Sequence, residues 1–240
     1  MNKKVIILIV AIVCVIALDG FFNIKKLFDN KEKNENNLTN AETTAKTSEE
    51  NTQTNQKEEN VETNNKEENM DNKYSTGKHN VSLEIKNYGT IELELDADIA
   101  PITVANFAKL VNEGFYNELT FHRIIDGFMM QGGDPEGTGM GGSSQNIKGE
   151  FAVNGVENSI SHVRGTISMA RSSSYNSASS QFFIVHEDST FLDGQYAGFG
   201  KVTKGIEIVD KICENTQVED SNGTVLPVNQ PIIEKITMMD

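Results

Sequence analysis

Residues 121–134 read Phe-His-Arg-Ile-Ile-Asp-Gly-Phe-Met-Met-Gln-Gly-Gly-Asp, and no other stretch of the chain is as informative. Side chains alternate in both halves; Phe121, Arg123 and Ile125 share one parity. Alternation with a period of two is typical of β-strands. Asp-Gly at 126–127 favours a tight turn. The stretch therefore predicts two strands joined as a β-hairpin.

Arg123 is the unusual member of this hairpin, because it is a permanent cation among apolar side chains. A charge in such surroundings must be paired with an opposite charge or directed at a ligand. The neighbouring sequence does not supply an obvious acidic partner. Two interpretations stay open at this point, a structural ion pair and a ligand-binding cation.

Three further motifs accompany the hairpin. They are Gly-Thr-Ile-Ser-Met-Ala-Arg-Ser at 165–172, Ser-Gln-Phe-Phe-Ile at 180–184, and Phe-Leu-Asp-Gly-Gln-Tyr-Ala-Gly-Phe-Gly-Lys-Val at 191–202. Together with the hairpin, and in this order, they resemble the cyclophilin family of peptidyl-prolyl cis-trans isomerases over roughly residues 80–240. The motif at 165–172 is similar to the bacterial branch of that family.

The resemblance implies a mainly β fold, namely a closed eight-stranded antiparallel barrel capped by two helices, with the active site on an outer face. It implies that Arg123 is the catalytic residue and donates to the prolyl nitrogen. It implies that the substrate-binding residues are Phe128, Met129, Gln131, Ala170, Arg171, Ser172, Gln181, Phe183, Phe191, Leu192 and Tyr196. No cofactor or metal is required for this chemistry.

Three of these positions depart from the better-known eukaryotic pattern. Phe191 stands where a tryptophan often donates to cyclosporin, and phenylalanine has no donor, so cyclosporin binding should be weak. Tyr196 stands where histidine is common, and it keeps an aromatic body with a polar tip. Arg171 stands where asparagine is common, and we expect it to alter the preference for residues beside the proline.

Periodicity alone also predicts several elements. Alternating apolar residues on both sides of Asn87-Tyr88-Gly89 predict a hairpin at about 81–95. A helical pattern begins at Pro101 and ends at Gly114, and a second covers about 204–214. Further short strands are expected at 165–170, 181–186, 197–202 and 231–239. Many short strands with two distant helices favour a closed antiparallel sheet.

Composition divides the 240 residues into three parts. Residues 1–28 hold a long apolar run flanked by lysines, and 29–78 are rich in Asn, Glu and Thr, which predicts a disordered linker. Residues 79–240 form the expected isomerase domain, with 10 Lys or Arg and 22 Asp or Glu, a net charge of −12. So acidic a domain should not bind nucleic acid or anionic lipid.

The apolar run at 5–18 follows two lysines and allows three interpretations. It is an uncleaved membrane anchor, a cleaved signal peptide, or a lipoprotein signal with Cys14 as the modified residue. The first is favoured, because Phe21, Phe22 and Ile24 extend the apolar character and a small-residue cleavage site is lacking. All three place the domain outside the cytoplasm, at the cell membrane, where proline-containing, unfolded or newly exported proteins would be its partners.

The remaining chemistry-bearing residues do not favour another function. Cys213 falls in a helical pattern and is expected to be a small buried apolar residue. The serines at 172–180 lack the Gly-x-Ser-x-Gly motif of hydrolases. Two alternatives to the enzyme remain: a tethered module or chaperone that binds proline-containing peptides with little turnover, and a structural surface protein.

Overall fold

The computed structural model describes residues 73–240. They form eight strands, β1 (Lys78–Ile85), β2 (Gly89–Asp96), β3 (Thr120–Ile125), β4 (Met129–Asp134), β5 (Thr166–Met169), β6 (Phe182–Val185), β7 (Gly198–Lys204) and β8 (Ile233–Met238). Helix α1 (Pro101–Asn112) follows β2, and helix α2 (Ile206–Asn215) follows β7. Each strand and helix predicted from periodicity is therefore present within a few residues of its expected position.

The strands form one curled antiparallel sheet in the order β3-β4-β6-β5-β7-β2-β1-β8. In the described residues no ladder joins the edge strands β3 and β8. The edges approach where Phe121 N donates to the Pro231 carbonyl at 2.9 Å and Ile233 N donates to the Leu119 carbonyl at 2.7 Å. The mainly β architecture with eight antiparallel strands and two helices is confirmed, whereas full closure of the barrel is not.

The concave side of the sheet and the two helices enclose the main hydrophobic core. Helix α1 begins with proline at its first turn, where a missing N–H costs nothing, and buries Val104, Phe107 and Val111. Helix α2 buries Val209 and Ile212. The two helices thus contribute apolar side chains to the same core as the strands.

A bulge in β3 changes the expected alternation. The register shifts between Phe121 and Arg123, so that Phe121 lies in the main core while Arg123 faces the outside. The prediction that these two residues share a face was wrong, because one extra residue in a strand reverses every side chain beyond it. The turn at Asp126-Gly127 is confirmed, with Gly127 at φ +73°.

The folded part begins earlier than residue 79. Tyr74, which composition assigned to the linker, is 5% exposed and packs in the main core. Its hydroxyl donates to the carbonyl of Asp240 at 3.3 Å, which ties the two ends of the domain together. The predicted anchor at 1–28 and most of the linker lie outside the described residues. In residues 73–240 the helices are too short and polar to cross a membrane.

Candidate active site

A second hydrophobic cluster, which we call the outer cluster, lies apart from the main core. Met129, Phe183, Val185 and Leu192 are buried in it. Five half-buried residues pack against them, namely Ile125, Phe128, Ala170, Phe191 and Tyr196. Seven of these nine are predicted substrate-binding residues, so the structure brings together side chains that are up to 68 positions apart in the sequence.

Strand pairing sets polar residues beside this cluster. Arg123 pairs with Gln131, Gln131 pairs with Phe183, and Phe183 pairs with Ser168, so the four lie in one row across β3, β4, β6 and β5. Directly opposite residues in an antiparallel sheet share a face. The row therefore places the Arg123 guanidinium next to an apolar pocket by backbone geometry alone.

Arg123 is held by neutral acceptors. Its Nε donates to the carbonyl of Asn222 at 2.8 Å, and its Nη1 donates to Oε1 of Gln131 at 3.3 Å. Among residues 73–240 no carboxylate lies within 4.0 Å of it. Burial lowers the pKa of this guanidinium, and Tyr196 and Asp220 partly offset that effect. Within residues 73–240, Arg123 therefore does not form the structural ion pair that the sequence left open. Three of the five N–H groups of its guanidinium stay unused.

The loop 220–224 that supports Arg123 was missed by sequence reasoning. Asn222 and Thr224 donate their backbone N–H groups to the Asp220 carboxylate at 2.9 and 3.1 Å, which shapes the loop. Ile124 N donates to the carbonyl of Gly223 at 2.8 Å, and Gly223 itself has φ +79°. A Cβ there would lie 2.2 Å from the Ile124 carbonyl oxygen, so only glycine permits this docking.

A chain of amides extends from Arg123 to a loop. Gln131 Nε2 donates to Gln181 Oε1 at 2.8 Å, and Gln181 Nε2 donates to the carbonyl of Gly141 at 2.7 Å. That loop is folded around the carboxylate of Asp134, which accepts from the N–H of Glu136 and Thr138. Desolvation opposes ionisation of Asp134, but these backbone hydrogen bonds outweigh it and lower the pKa. Both glutamines are therefore fixed in orientation.

A buried polar chain lies beneath the outer cluster and was also missed. His162 stacks on Phe183 with ring centroids 6.0 Å apart. Its Nδ1 contacts Asp193 Oδ1 at 2.9 Å, and its Nε2 contacts Ser168 Oγ at 2.9 Å. The order Ser-His-Asp is that of a hydrolase triad, but both Ser168 and His162 are 0% exposed. No substrate could reach this serine, so the chain serves to position Phe183.

The segment 170–172 forms the rim of the site. Ala170 N donates to the Gln181 carbonyl at 2.9 Å, which continues the pairing of β5 with β6. Ser172 is exposed, and its N–H donates to Ser177 Oγ at 3.0 Å. Arg171 lies over the ring of Tyr196. The predicted site residues thus lie in the outer cluster or directly beside it, except Ser172, which contacts Ser177.

Comparisons with known proteins agree with this geometry. Residues 80–238 match the family described as cyclophilin type peptidyl-prolyl cis-trans isomerase/CLD. The chain belongs to the cyclophilin-type peptidyl-prolyl cis-trans isomerase family. Peptidyl-prolyl cis-trans isomerase B of Bacillus subtilis is 48% identical over 136 residues, 57% of this chain and 86% of the relative. Peptidyl-prolyl cis-trans isomerase A of Dickeya dadantii is 48% identical over 143 residues, 56% of this chain and 70% of the relative.

A solved structure also resembles this cyclophilin. The cyclophilin type peptidyl-prolyl cis-trans isomerase of Cryptosporidium parvum, crystallised in the presence of the dipeptide Ala-Pro, has a TM-score of 0.59 and 33% sequence identity. The match covers 67% of this chain and 99% of that one. The resemblance to the family stated from the sequence is confirmed.

Two aromatic positions distinguish the site of this cyclophilin. Phe191 packs against Phe128 with the rings tilted by 33° and their centroids 5.6 Å apart, and Tyr196 meets Phe183 edge-on at 6.0 Å. Phenylalanine at position 191 offers apolar area without a hydrogen-bond donor. The pocket wall on that side is therefore purely apolar.

Proposed function

We propose that Arg123 accelerates X-Pro isomerisation by donating a hydrogen bond to the prolyl nitrogen while the outer cluster holds the proline ring. The peptide C–N bond resists rotation because of its partial double-bond character, with a barrier of about 18–20 kcal/mol. A donor that localises the nitrogen lone pair weakens this resonance in the twisted state. No covalent step and no metal are needed for that effect.

The observation that carries the proposal is that Arg123 is fixed in place but not paired with a carboxylate. It is a cation fixed by a carbonyl and an amide, without an ionic partner in the described residues, and it adjoins a half-exposed apolar pocket. A fixed donor in a partly dry site costs no reorganisation when charge develops. Gln131 supports this role by accepting a hydrogen bond from the guanidinium, and the amide N–H that does not donate to Gln181 would contact the substrate.

The test is a pair of substitutions in the full-length protein, assayed on a short X-Pro peptide. Arg123→Ala should lower kcat/KM by about a hundredfold, as expected for loss of a transition-state donor worth about 3 kcal/mol. Arg123→Lys should restore little of the lost kcat/KM, because the point charge of an ammonium group cannot reproduce the planar donor geometry of a guanidinium. Thermal unfolding supplies the control, since the side chain makes only two hydrogen bonds in the described structure.

A result in which Arg123→Ala loses activity only in proportion to its unfolded fraction would show that the residue is structural. Retained peptide binding with turnover equal to wild type would show that another group performs the chemistry. Peptide binding without turnover in the wild type itself would instead favour the tethered binding module considered above.

We propose further that the domain works outside the cytoplasm on newly exported or unfolded proteins, held to the membrane by residues 1–28. The support is the lysine-flanked apolar run at 5–18 and the polar stretch at 29–72 that separates it from the domain. External protease on intact cells should cut within that stretch and release an active fragment. Complete protection, while a known surface protein is cut, would refute the proposed location.

A further inference from the structure

Arg171 is fixed at the rim of the site by three aromatic rings. Its guanidinium carbon lies 4.6 Å from the centroid of Tyr196, 5.0 Å from Phe151 and 5.2 Å from Tyr175. Guanidinium groups stack well on aromatic faces because they are planar and weakly hydrated. The contacts hold the charge in one place instead of leaving it on a mobile side chain.

Backbone carbonyls accept hydrogen bonds from part of the Arg171 guanidinium. Nε and Nη2 donate to the Gln195 carbonyl at 3.2 and 2.9 Å, and Nη1 donates to the Ser172 carbonyl at 2.9 Å. These bonds use three of the five N–H groups, so two remain for another acceptor. Residues 73–240 place no carboxylate within 4.0 Å of this guanidinium, whereas Arg164 is paired with Asp210 at 2.6 Å.

Tyr196 connects this cation with the proline pocket. One face of its ring lies against Arg171, and the same ring meets Phe183 of the outer cluster edge-on at 6.0 Å. The unpaired charge is thus one aromatic ring away from the proposed position of the proline. A residue adjacent to the proline in a bound peptide therefore lies within reach of it.

The site carries local positive charge in a domain with a net charge of −12. Charges farther away than about 8 Å are largely screened at physiological ionic strength. Since no carboxylate in residues 73–240 lies within 4.0 Å of Arg171, its charge is not neutralised by direct pairing. An acidic side chain beside the proline would meet two free donors and a cation. A basic side chain there would meet an unneutralised like charge.

We infer that Arg171 makes this cyclophilin prefer X-Pro segments that carry Asp or Glu directly before or after the proline. The inference rests on the proposed function and specifies the substrate class of the same site. A charge-assisted hydrogen bond to a guanidinium is stronger than a neutral one, but the half-exposed position reduces its net value. We expect kcat/KM to be about three- to tenfold higher for glutamate than for glutamine at the preferred position.

The experiment uses the full-length protein and two matched peptide pairs, Glu or Gln before the proline and Glu or Gln after it. Catalysed rates are expressed relative to the uncatalysed rate of each peptide. In the wild type, the Glu peptide of at least one pair should be the better substrate, and added salt should reduce the ratio. Arg171→Gln should bring that ratio close to one, and Arg171→Glu should invert it.

Arg164→Gln is the matched control, because it removes an arginine that is already neutralised by Asp210. Its Glu-to-Gln ratio should equal that of the wild type. Equal rates for Glu and Gln peptides in both pairs would overturn the inference while leaving the proposed function intact. A preference that survives in Arg171→Gln would also overturn it, because the selectivity would then arise elsewhere. Failure to accelerate any of the four peptides would instead refute the proposed function.

Discussion

Phe182 and Phe183 are neighbours in β6, yet they belong to two differently built apolar regions. Phe182 is 0% exposed and touches the rings of Phe107, Tyr116 and Phe121 in the main core. Phe183 points to the other face of the sheet, into the outer cluster. The main core is filled by its own side chains, whereas the outer cluster is surrounded by half-buried residues and left open.

Polar surroundings separate the two regions further. The outer cluster is bordered by a fixed cation, an amide chain and a buried imidazole, at Arg123, Gln131 and His162. Satisfied buried polar groups of this kind contribute rigidity more than net stability. On the proposed function, we expect the main core to determine whether the chain folds and the outer cluster to determine what it binds.

The largest expected effect tests this division directly. Phe182→Ala should lower the free energy of unfolding by about 3–5 kcal/mol, because it leaves a cavity in a closed core. Phe183→Ala should cost less, about 1–3 kcal/mol, since water can enter the open cluster. Chemical denaturation of both variants, together with kcat/KM on an X-Pro peptide, measures the contrast.

For activity the order should reverse, after correction for the folded fraction. Phe183→Ala removes the floor of the proposed proline pocket and should raise KM, while folded Phe182→Ala should retain most of its activity. Comparable losses of stability and of activity in the two variants would mean that the two regions are not separate in energetic terms.

Local patterns were sufficient to predict most of the fold. Period-two alternation predicted the hairpin around Asn87, and Pro101 with Gly114 marked the ends of α1. Alternation failed at Phe121 because a bulge is a tertiary feature that depends on the partner strand. Composition misplaced Tyr74 because a single aromatic residue after a polar stretch gives no sign of what it packs against.

The site was predicted through its motifs and not through its partners. Family resemblance supplied Arg123 and the pocket residues; the structure groups seven of the pocket residues in the outer cluster and sets Arg123 beside it. Asn222 was missed because it contacts Arg123 from 99 positions away, and Asp193 because it contacts His162 from 31 positions away. Both lie in loops without regular periodicity. Turn-forming residues at Asp220-Ser-Asn-Gly were a visible signal of a loop, but not of the side chain that the loop would meet.

A smaller effect concerns two buried histidines next to the site, His122 and His162. Burial lowers the pKa of each below the ordinary 6.5, and this is partly offset by Asp134 at His122 and by Asp193 at His162. The unfolded chain then takes up protons at a higher pH than the native one. Their contribution to the free energy of unfolding is intact above pH 6.5 and is lost as the pH falls through the lowered native values.

The slope of this loss cannot exceed about 1.4 kcal/mol per pH unit for each histidine. His122 is the better position to probe, because both its ring nitrogens lack a hydrogen-bond partner among the described residues. His122→Leu should flatten the decline of the melting temperature between pH 7 and pH 5, and a measurement at pH 8 controls for changed packing. An unchanged slope would show that His122 does not take up its proton on unfolding.

The smallest expected effect concerns the wall of the outer cluster at Phe191. Its ring is half-buried against Phe128 and lacks a donor, so we expect weak inhibition by cyclosporin. Phe191→Trp adds an indole N–H at the rim, and one net hydrogen bond is worth about 0.5–1.5 kcal/mol, or roughly a two- to tenfold lower inhibition constant. Phe191→Tyr is the matched control, because its hydroxyl is a donor in a different position.

If Trp and Phe at this position gave equal inhibition constants while peptide turnover was unchanged, the drug affinity of the outer cluster would be set by its other walls. If both donors improved binding equally, added polarity at the rim, and not the indole geometry, would be the cause.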